Sequence, residues 1–257
     1  MATGLVTTAE VTDATPAAFG AHVLERSRHR EIARQYVRDS EPDVVLGGGG
    51  RRWTATLRDR AREGGWTVVT SPAGLGRADG PRSLGLFAEG RMFTKGPEGQ
   101  GRYAPRPTLR AMTAKALDVL AADPDGFFLL VEEEGIDEMA HANNARGTIR
   151  ASRAFDRAVA LVHRFAEDNP GTLVVVLGDH ETGGVSVSRE RSGSGSDGPF
   201  RVRGSELDFW VSWTTTRHTG NPTPLGAEGP GAERLARAQH LADVHAVLRD
   251  ALRADER

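Results

Sequence analysis

Apolar positions along the chain fall into two alternating patterns. Short aliphatic and β-branched runs at Gly4–Thr8, Asp43–Leu46, Thr67–Thr70, Phe127–Glu132 and Thr172–Leu177 read as strands. The last of these, TLVVVL, is apolar throughout, which predicts burial on both faces and a central place in a sheet. Between them lie stretches with helical spacing. Pro16–Arg26 is one, with Thr15 as N-cap and Pro16 at the first helical position. Thr108–Ala122 is a second, stopped by Asp123-Pro124-Asp125-Gly126. A third runs from about Arg146 to Asp168, with Ile149, Phe155, Val159, Val162 and Phe165 near one face. A final helix fits Ala232 to about Arg253, with Leu241, Val244, Leu248 and Leu252 as its buried stripe, His245 at the border of the core and His240 toward solvent. Strands alternating with helices predict an α/β fold, a largely parallel central sheet with helices on both faces.

Two stretches lack either period. Pro72–Pro107, rich in Gly, Pro and Arg, reads as loop, and Arg189–Gly198 (RERSGSGSDG) as a mobile loop. Gly47-Gly48-Gly49-Gly50 follows a strand but lacks the Lys-Ser/Thr of a nucleotide-binding loop, so a permissive turn is the preferred reading. With 257 residues, 38% of them hydrophobic, one substantial core suffices, and residues 1–257 are expected to form a single domain. A formal charge of −2, with Arg mixed among Asp and Glu, gives no basic face, so nucleic acid is not an expected partner. No apolar run reaches bilayer length, which argues against a membrane span, and the stretch from Met1 to Val6 has no export-signal pattern. The absence of cysteine leaves His, Asp, Glu and hydroxyl oxygens as the available metal ligands.

Candidate chemistry concentrates where strands end. In FFLLVEEEGIDEMAH a strand runs into three carboxylates, then presents Asp137 and His141 four residues apart; on a helix these share a face and can bind one ion, although such a pair is also common on helix surfaces. In TLVVVLGDHETGG another strand delivers Asp179 and His180, costly groups to bury without a cation or a hydrogen-bonded partner. WTTTRHTG adds His218. Two carboxylates and three imidazoles suit zinc better than magnesium or calcium. The N-terminal TTAEVTDATPAA, continuing to Arg26, places a hydroxyl, a carboxylate and a guanidinium near a helix start, and Arg26 can clamp a phosphate at two points.

The order TTAEVTDATPAA…R, DVVLGGG, GFFLLVE…IDEMAH, LGDHETGG, W…RHTG and GAEGPGAE resembles the alkaline phosphatases. The resemblance implies a phosphomonoester hydrolase with two zinc ions and a magnesium at the carboxyl edge of the sheet, acting through a phosphoserine. It implies Asp137, His141 and His218 as ligands of the first zinc, and Asp179 and His180 as two ligands of the second. Thr15 and Glu132 resemble the magnesium ligands, with Asp13 beside them, and Arg26 the phosphate-holding arginine. Glu132 is preferred to Glu133 and Glu134 because it directly follows the strand and stands five before Asp137. Small phosphomonoesters as substrates, a homodimer as the assembly and a periplasmic or secreted location follow from the same resemblance.

Two departures qualify it. Glu138 stands where relatives often carry a basic or His residue, and its negative charge is expected to weaken phosphate binding. No Asp-Ser-Ala triplet occurs in the 257 residues, and Asp39-Ser40 is followed by Glu41. The family's nucleophilic serine, its metal-bridging aspartate and one strand belong to a segment before the region that matches. A truncated reading frame is therefore expected, with poor folding alone, tighter binding of the first zinc than the second, and little catalysis by this chain. A related phosphodiesterase or sulfatase, and a noncatalytic zinc-binding or assembly protein, are the alternatives.

Overall fold

The computed structural model describes residues 1–193 and 195–253, and the chain divides into two compact units, Met1–Phe155 and Asp156–Arg257, a division that falls within one long helix.

The first unit is built on β1 (Ala2–Glu10), α1 (Ala14–Gly20), α2 (His29–Gln35), β2 (Val44–Gly48), α3 (Ala55–Glu63), β3 (Thr67–Val69), α4 (Pro72–Gly76), β4 (Ser83–Leu86), α5 (Leu109–Leu120), β5 (Phe127–Glu132) and α6 (Gly135–His141). Its five strands pair in parallel in the order β3-β4-β2-β1-β5. Strand alternation sorts the side chains between two faces. Leu5, Val45 and Leu84, aligned across the register, join Ile32, Tyr36, Leu57 and Trp66 in a core under α1 to α3. On the opposite face α5 packs on β1 and β2, so closely that a Cβ at Gly4 would lie 2.6 Å from Leu120. Helices on both faces of a parallel sheet are the architecture expected from the sequence.

Several boundaries differ. The stretch read as loop from Pro72 to Pro107 contains α4 and the fully buried strand β4, too short and glycine-interrupted to register as a strand pattern. Helix α1 starts at Ala14, capped by the Asp13 carboxylate, which accepts from the Ala14 N–H at 2.9 Å; Thr15 is therefore inside the helix and not its cap. It also stops at Gly20, where a Cβ would crowd Tyr36 at 2.7 Å, leaving Arg26 in the loop that follows.

The second unit carries most of α7 (Ala145–Asp168), then β6 (Val174–Leu177), β7 (Glu181–Thr182), β8 (Ser186–Ser188), β9 (Asp197–Arg201), β10 (Asp208–Ser212), β11 (His218–Thr219), β12 (Leu225–Glu228) and α8 (Leu241–Leu252). The apolar run expected at the centre of the sheet is not part of the five-stranded sheet; β6 pairs antiparallel with β12, and Leu173, Val175 and Leu177 pack against Leu235, Val244 and Val247. The middle strand is β2, between β4 and β1, and β5 closes the sheet beyond β1. The expected final helix is broken into a 3-10 turn, Ala232–Arg237, and α8, whose start His240 and Asp243 close with a capping box. Its buried stripe is Val244 and Val247, while Leu241, His245 and Leu252 are exposed. Of the loop expected at Arg189–Gly198, Ser194 lies outside the described residues and Asp197 opens β9.

Of the four glycines expected to turn, Gly47 and Gly48 end β2, and the chain turns at Gly49 and Gly50. Gly49 has φ +92°, and the segment hydrogen-bonds to the chain after β4 through Gly49 N–H to Gly90 O (2.9 Å) and Gly50 N–H to Ala88 O (2.8 Å). A Cβ on Gly48 would collide with the Gly90 carbonyl. Gly48→Ala should cost about 1–3 kcal/mol, because neither backbone can retreat cheaply. Gly76→Ala, with open space around it, should fall within about 1 kcal/mol of the parent. Chemical denaturation of both checks the contrast.

Candidate metal and phosphate site

Parallel strands leave their carboxyl ends at one edge, and in the first unit that edge is acidic. β1 supplies Thr7 and Thr8, whose hydroxyls donate to Glu132 and Glu133 at 2.6 Å each. Glu133 is buried and also accepts from the Tyr103 hydroxyl and from the Gly135 N–H at 3.0 Å. Burial outweighs these donors and pushes its carboxyl up to about 7. Glu134 rises to about 9, first through burial and then through Glu132, Asp13, Asp137 and Glu138. Oxygens of Glu134, Asp137 and Glu138 lie within 4.8 Å of one another. Asp137 and His141 share a face of α6, with His141 Nε2 3.4 Å from Asp137 Oδ2, as their spacing predicts.

Positive charge enters from two loops that the sequence reading did not join. Arg26, its side chain two-thirds exposed, donates from Nη2 to Asp13 Oδ1 at 2.6 Å. Burial raises the Asp13 carboxyl, but the Arg26 and Ala14 hydrogen bonds and the charges of Arg26 and Arg91 hold it below its ordinary value. Arg91, from the chain after β4, approaches Asp13 Oδ2 at 3.7 Å and binds Glu138 Oε1 at 2.6 Å, while Lys95 takes Glu138 Oε2 at 2.8 Å. The negative charge expected to oppose phosphate is thus buried between two cations. Neither Arg91 nor Lys95 stands in a periodic segment; the glycines before them are the signal that a close backbone approach brings them here.

In the second unit β7 and β11 form a two-stranded ribbon with His218 opposite Thr182 and Thr219 opposite Glu181. It stacks the His180 and His218 rings, centroids 3.6 Å apart. His180 Nδ1 lies 3.2 Å from the Thr182 hydroxyl, and Nε2 3.2 Å from Asp179 Oδ2. Glu181 ties the turn together, accepting from the Thr219 hydroxyl and from the Gly184 and Val185 N–H groups at 3.2 and 3.0 Å. Positive φ at Gly183 and Gly184 permits that turn.

The family model for alkaline phosphatase matches residues 1–206. The chain belongs to the alkaline phosphatase family. Streptomycin-6-phosphate phosphatase from Streptomyces griseus is 33% identical to it, over 98% of this chain and 68% of that protein. Alkaline phosphatase 4 from Bacillus subtilis is 36% identical over 72% of this chain and 41% of its own length. Among solved structures, a cold-active alkaline phosphatase from Shewanella sp. has a TM-score of 0.79 at 25% identity, covering 98% of this chain and 75% of that one. The alkaline phosphatase of the Antarctic bacterium TAB5 has a TM-score of 0.73 at 29% identity, covering 91% and 67%; a mutant of the TAB5 enzyme has magnesium bound in its M3 site. The chain spans 41%, 68% and 46% of three curated relatives. No helix among the described residues is long and apolar enough to cross a membrane.

Because Glu181 holds the turn beside His180 and the residue next to His218, Glu181→Ala should release the Gly184 and Val185 amides. Their hydrogen exchange should accelerate about tenfold, the loss of roughly 1.4 kcal/mol of local stability. Unchanged exchange, read by NMR or mass spectrometry, would mean that the carboxylate does not hold the ribbon.

Proposed function

We propose that these 257 residues supply the metal-binding and phosphate-binding part of a phosphomonoesterase that turns over through a phosphoserine. The observation that carries the reading is the edge of the first unit, where Arg26 stands on Asp13 beside Glu132, Glu134 and Asp137. Oxygen and imidazole donors without thiolates fit magnesium and zinc. Thr15 and Glu132 are the magnesium ligands in this reading, with Asp13 adjacent. Asp137, His141 and His218 hold one zinc, and Asp179 with His180 part of the second. The stacking of His180 on His218 places the two imidazoles assigned to neighbouring ions side by side.

The metal ions would supply Lewis-acid stabilisation of developing oxyanion charge and a more acidic bound water. The residues of the chain do the positioning. Arg26 presents an exposed guanidinium for the phosphate oxygens, and Asp13 fixes its direction from behind. Thr7 holds the Glu132 carboxylate at the end of β5, and Thr182 meets His180 Nδ1 on the side away from Asp179. A small phosphomonoester fits the Streptomyces relative, named for streptomycin 6-phosphate, and the reading extends to a periplasmic or secreted location.

An extended protein carrying an Asp-Ser-Ala-type nucleophile in addition to these residues should release phosphate from an aryl phosphate at alkaline pH with zinc and magnesium. Arg26→Ala should lower its kcat/KM by about 10²-fold. No release by a folded, metal-loaded extended protein would count against the assignment, and a substrate panel separates it from a diesterase or sulfatase. Metal analysis of the 257-residue chain should find one zinc held more tightly than a second; equal, tight occupancy would contradict the ligand assignment.

A further inference from the structure

The mechanism above uses Arg26 and leaves Arg91 and Lys95 without a role. Yet Arg91 is the most connected cation at the sheet edge. Its Nη2 binds Glu138 Oε1 at 2.6 Å and lies 3.7 Å from Asp13 Oδ2, and its Nε lies 3.8 Å from Glu134 Oε1. Asp13 offers its other oxygen to Arg26, and Glu138 its other oxygen to Lys95. The side chains therefore alternate in sign along a row, Arg26, Asp13, Arg91, Glu138, Lys95, in which both carboxylates are buried and all three cations reach solvent.

Backbone contacts fix the middle of that row. Gly49 and Gly50 hydrogen-bond to Gly90 and Ala88, and the Met92 N–H donates to Thr8 O at 3.0 Å. Arg91 is held between two anchored neighbours, which fixes the point on the backbone from which its guanidinium reaches Glu138.

We propose that Arg91 is a positioning residue that sets phosphate affinity: it compensates Glu138 and shares Asp13 with Arg26, so that Arg26 keeps an exposed, uncancelled charge for the phosphate. The inference rests on the reading of Arg26 as the phosphate-binding arginine. Without Arg91, Glu138 keeps Lys95 alone among the described residues, Asp13 turns wholly toward Arg26, and the net charge beside the phosphate falls by one unit. A charge removed within about 8 Å in a partly solvated site corresponds to roughly tenfold in anion affinity.

The test is a charge-compensation cycle on the full chain loaded with zinc and magnesium, with inorganic phosphate as the probe in titration calorimetry. Arg91→Ala should weaken phosphate binding about tenfold, Glu138→Gln should leave it equal or tighter, and the double variant should return to within about threefold of the parent. Arg91→Lys, which keeps the charge but not the fork, should fall between. A merely structural Arg91 would lose stability in the single variant without rescue of affinity by Glu138→Gln. Phosphate affinity of Arg91→Ala within twofold of the parent, or a double variant no better than Arg91→Ala, would overturn the proposal while leaving Arg26 in place. Should Arg91→Ala fail to fold, the Arg91→Lys and double variants decide the same question. A parent chain whose phosphate binding is also insensitive to Arg26→Ala would overturn the underlying reading and this one with it.

Discussion

Carboxylates buried at the carboxyl edge of a parallel sheet have to be answered by donors or cations, and that requirement organises the first unit. Glu10, Asp13, Glu133 and Glu138 are all buried there. An ionised carboxylate taken out of water without compensation costs several kcal/mol, so each one dictates what stands beside it. Glu10 is met by Arg51 and Arg52, which fixes the turn after β2. Asp13 is met by Arg26 and Arg91, and Glu138 by Arg91 and Lys95. Glu133 has neutral donors only, and its raised carboxyl is the consequence. Glu134, with four other carboxylates around it, is the group for which the protein's own cations fall short. A surplus of that kind is what a divalent cation offsets, which is why the acidic edge supports the metal reading.

The same constraint explains which parts of the structure the sequence discloses. β1, β5, α5 and α7 declare themselves, because aliphatic runs and helical spacing are local and their stops, such as Asp123 to Gly126, are local too. Asp137 and His141 are legible for the same reason, four residues apart on one short helix. β4 is not, since four residues with a central glycine make no pattern and become a strand only against β2 and β3. Helix α1 misleads because Thr15-Pro16 is a good local start signal. Asp13, itself a favourable cap residue, caps the chain two residues earlier, and its carboxylate also meets Arg26.

Arg91 and Lys95 mark the limit of sequence reading most sharply. They are 47 and 43 residues from Glu138, in a segment whose Gly and Pro content says only that it is irregular. Read alone, Glu138 is an uncompensated negative charge at a phosphate site; in the fold it is an anchor for two cations. The information was present in an indirect form. Four consecutive glycines across the end of β2 imply that another backbone comes very near, and the backbone that does so is the one carrying Arg91.

The second unit meets a similar problem by a different route. His180 and His218 are positioned by a two-stranded ribbon, with Glu181 as an acceptor for two backbone amides and one hydroxyl, and Asp179 lies beside His180. Such a ribbon is short and weak by itself, and its geometry rests on Glu181, on backbone bonds linking Gly183 with Arg217 and Thr214, and on two glycines in left-handed conformations. The first unit fixes its acidic side chains by packing them into a sheet edge, where charge balance permits few alternatives. The second fixes His180 and His218 by local hydrogen bonds that a change of one residue can release. The positions of His180 and His218 should therefore be the more easily altered by mutation, and Asp13, Arg91 and Glu138 the more tightly bound to the integrity of the fold.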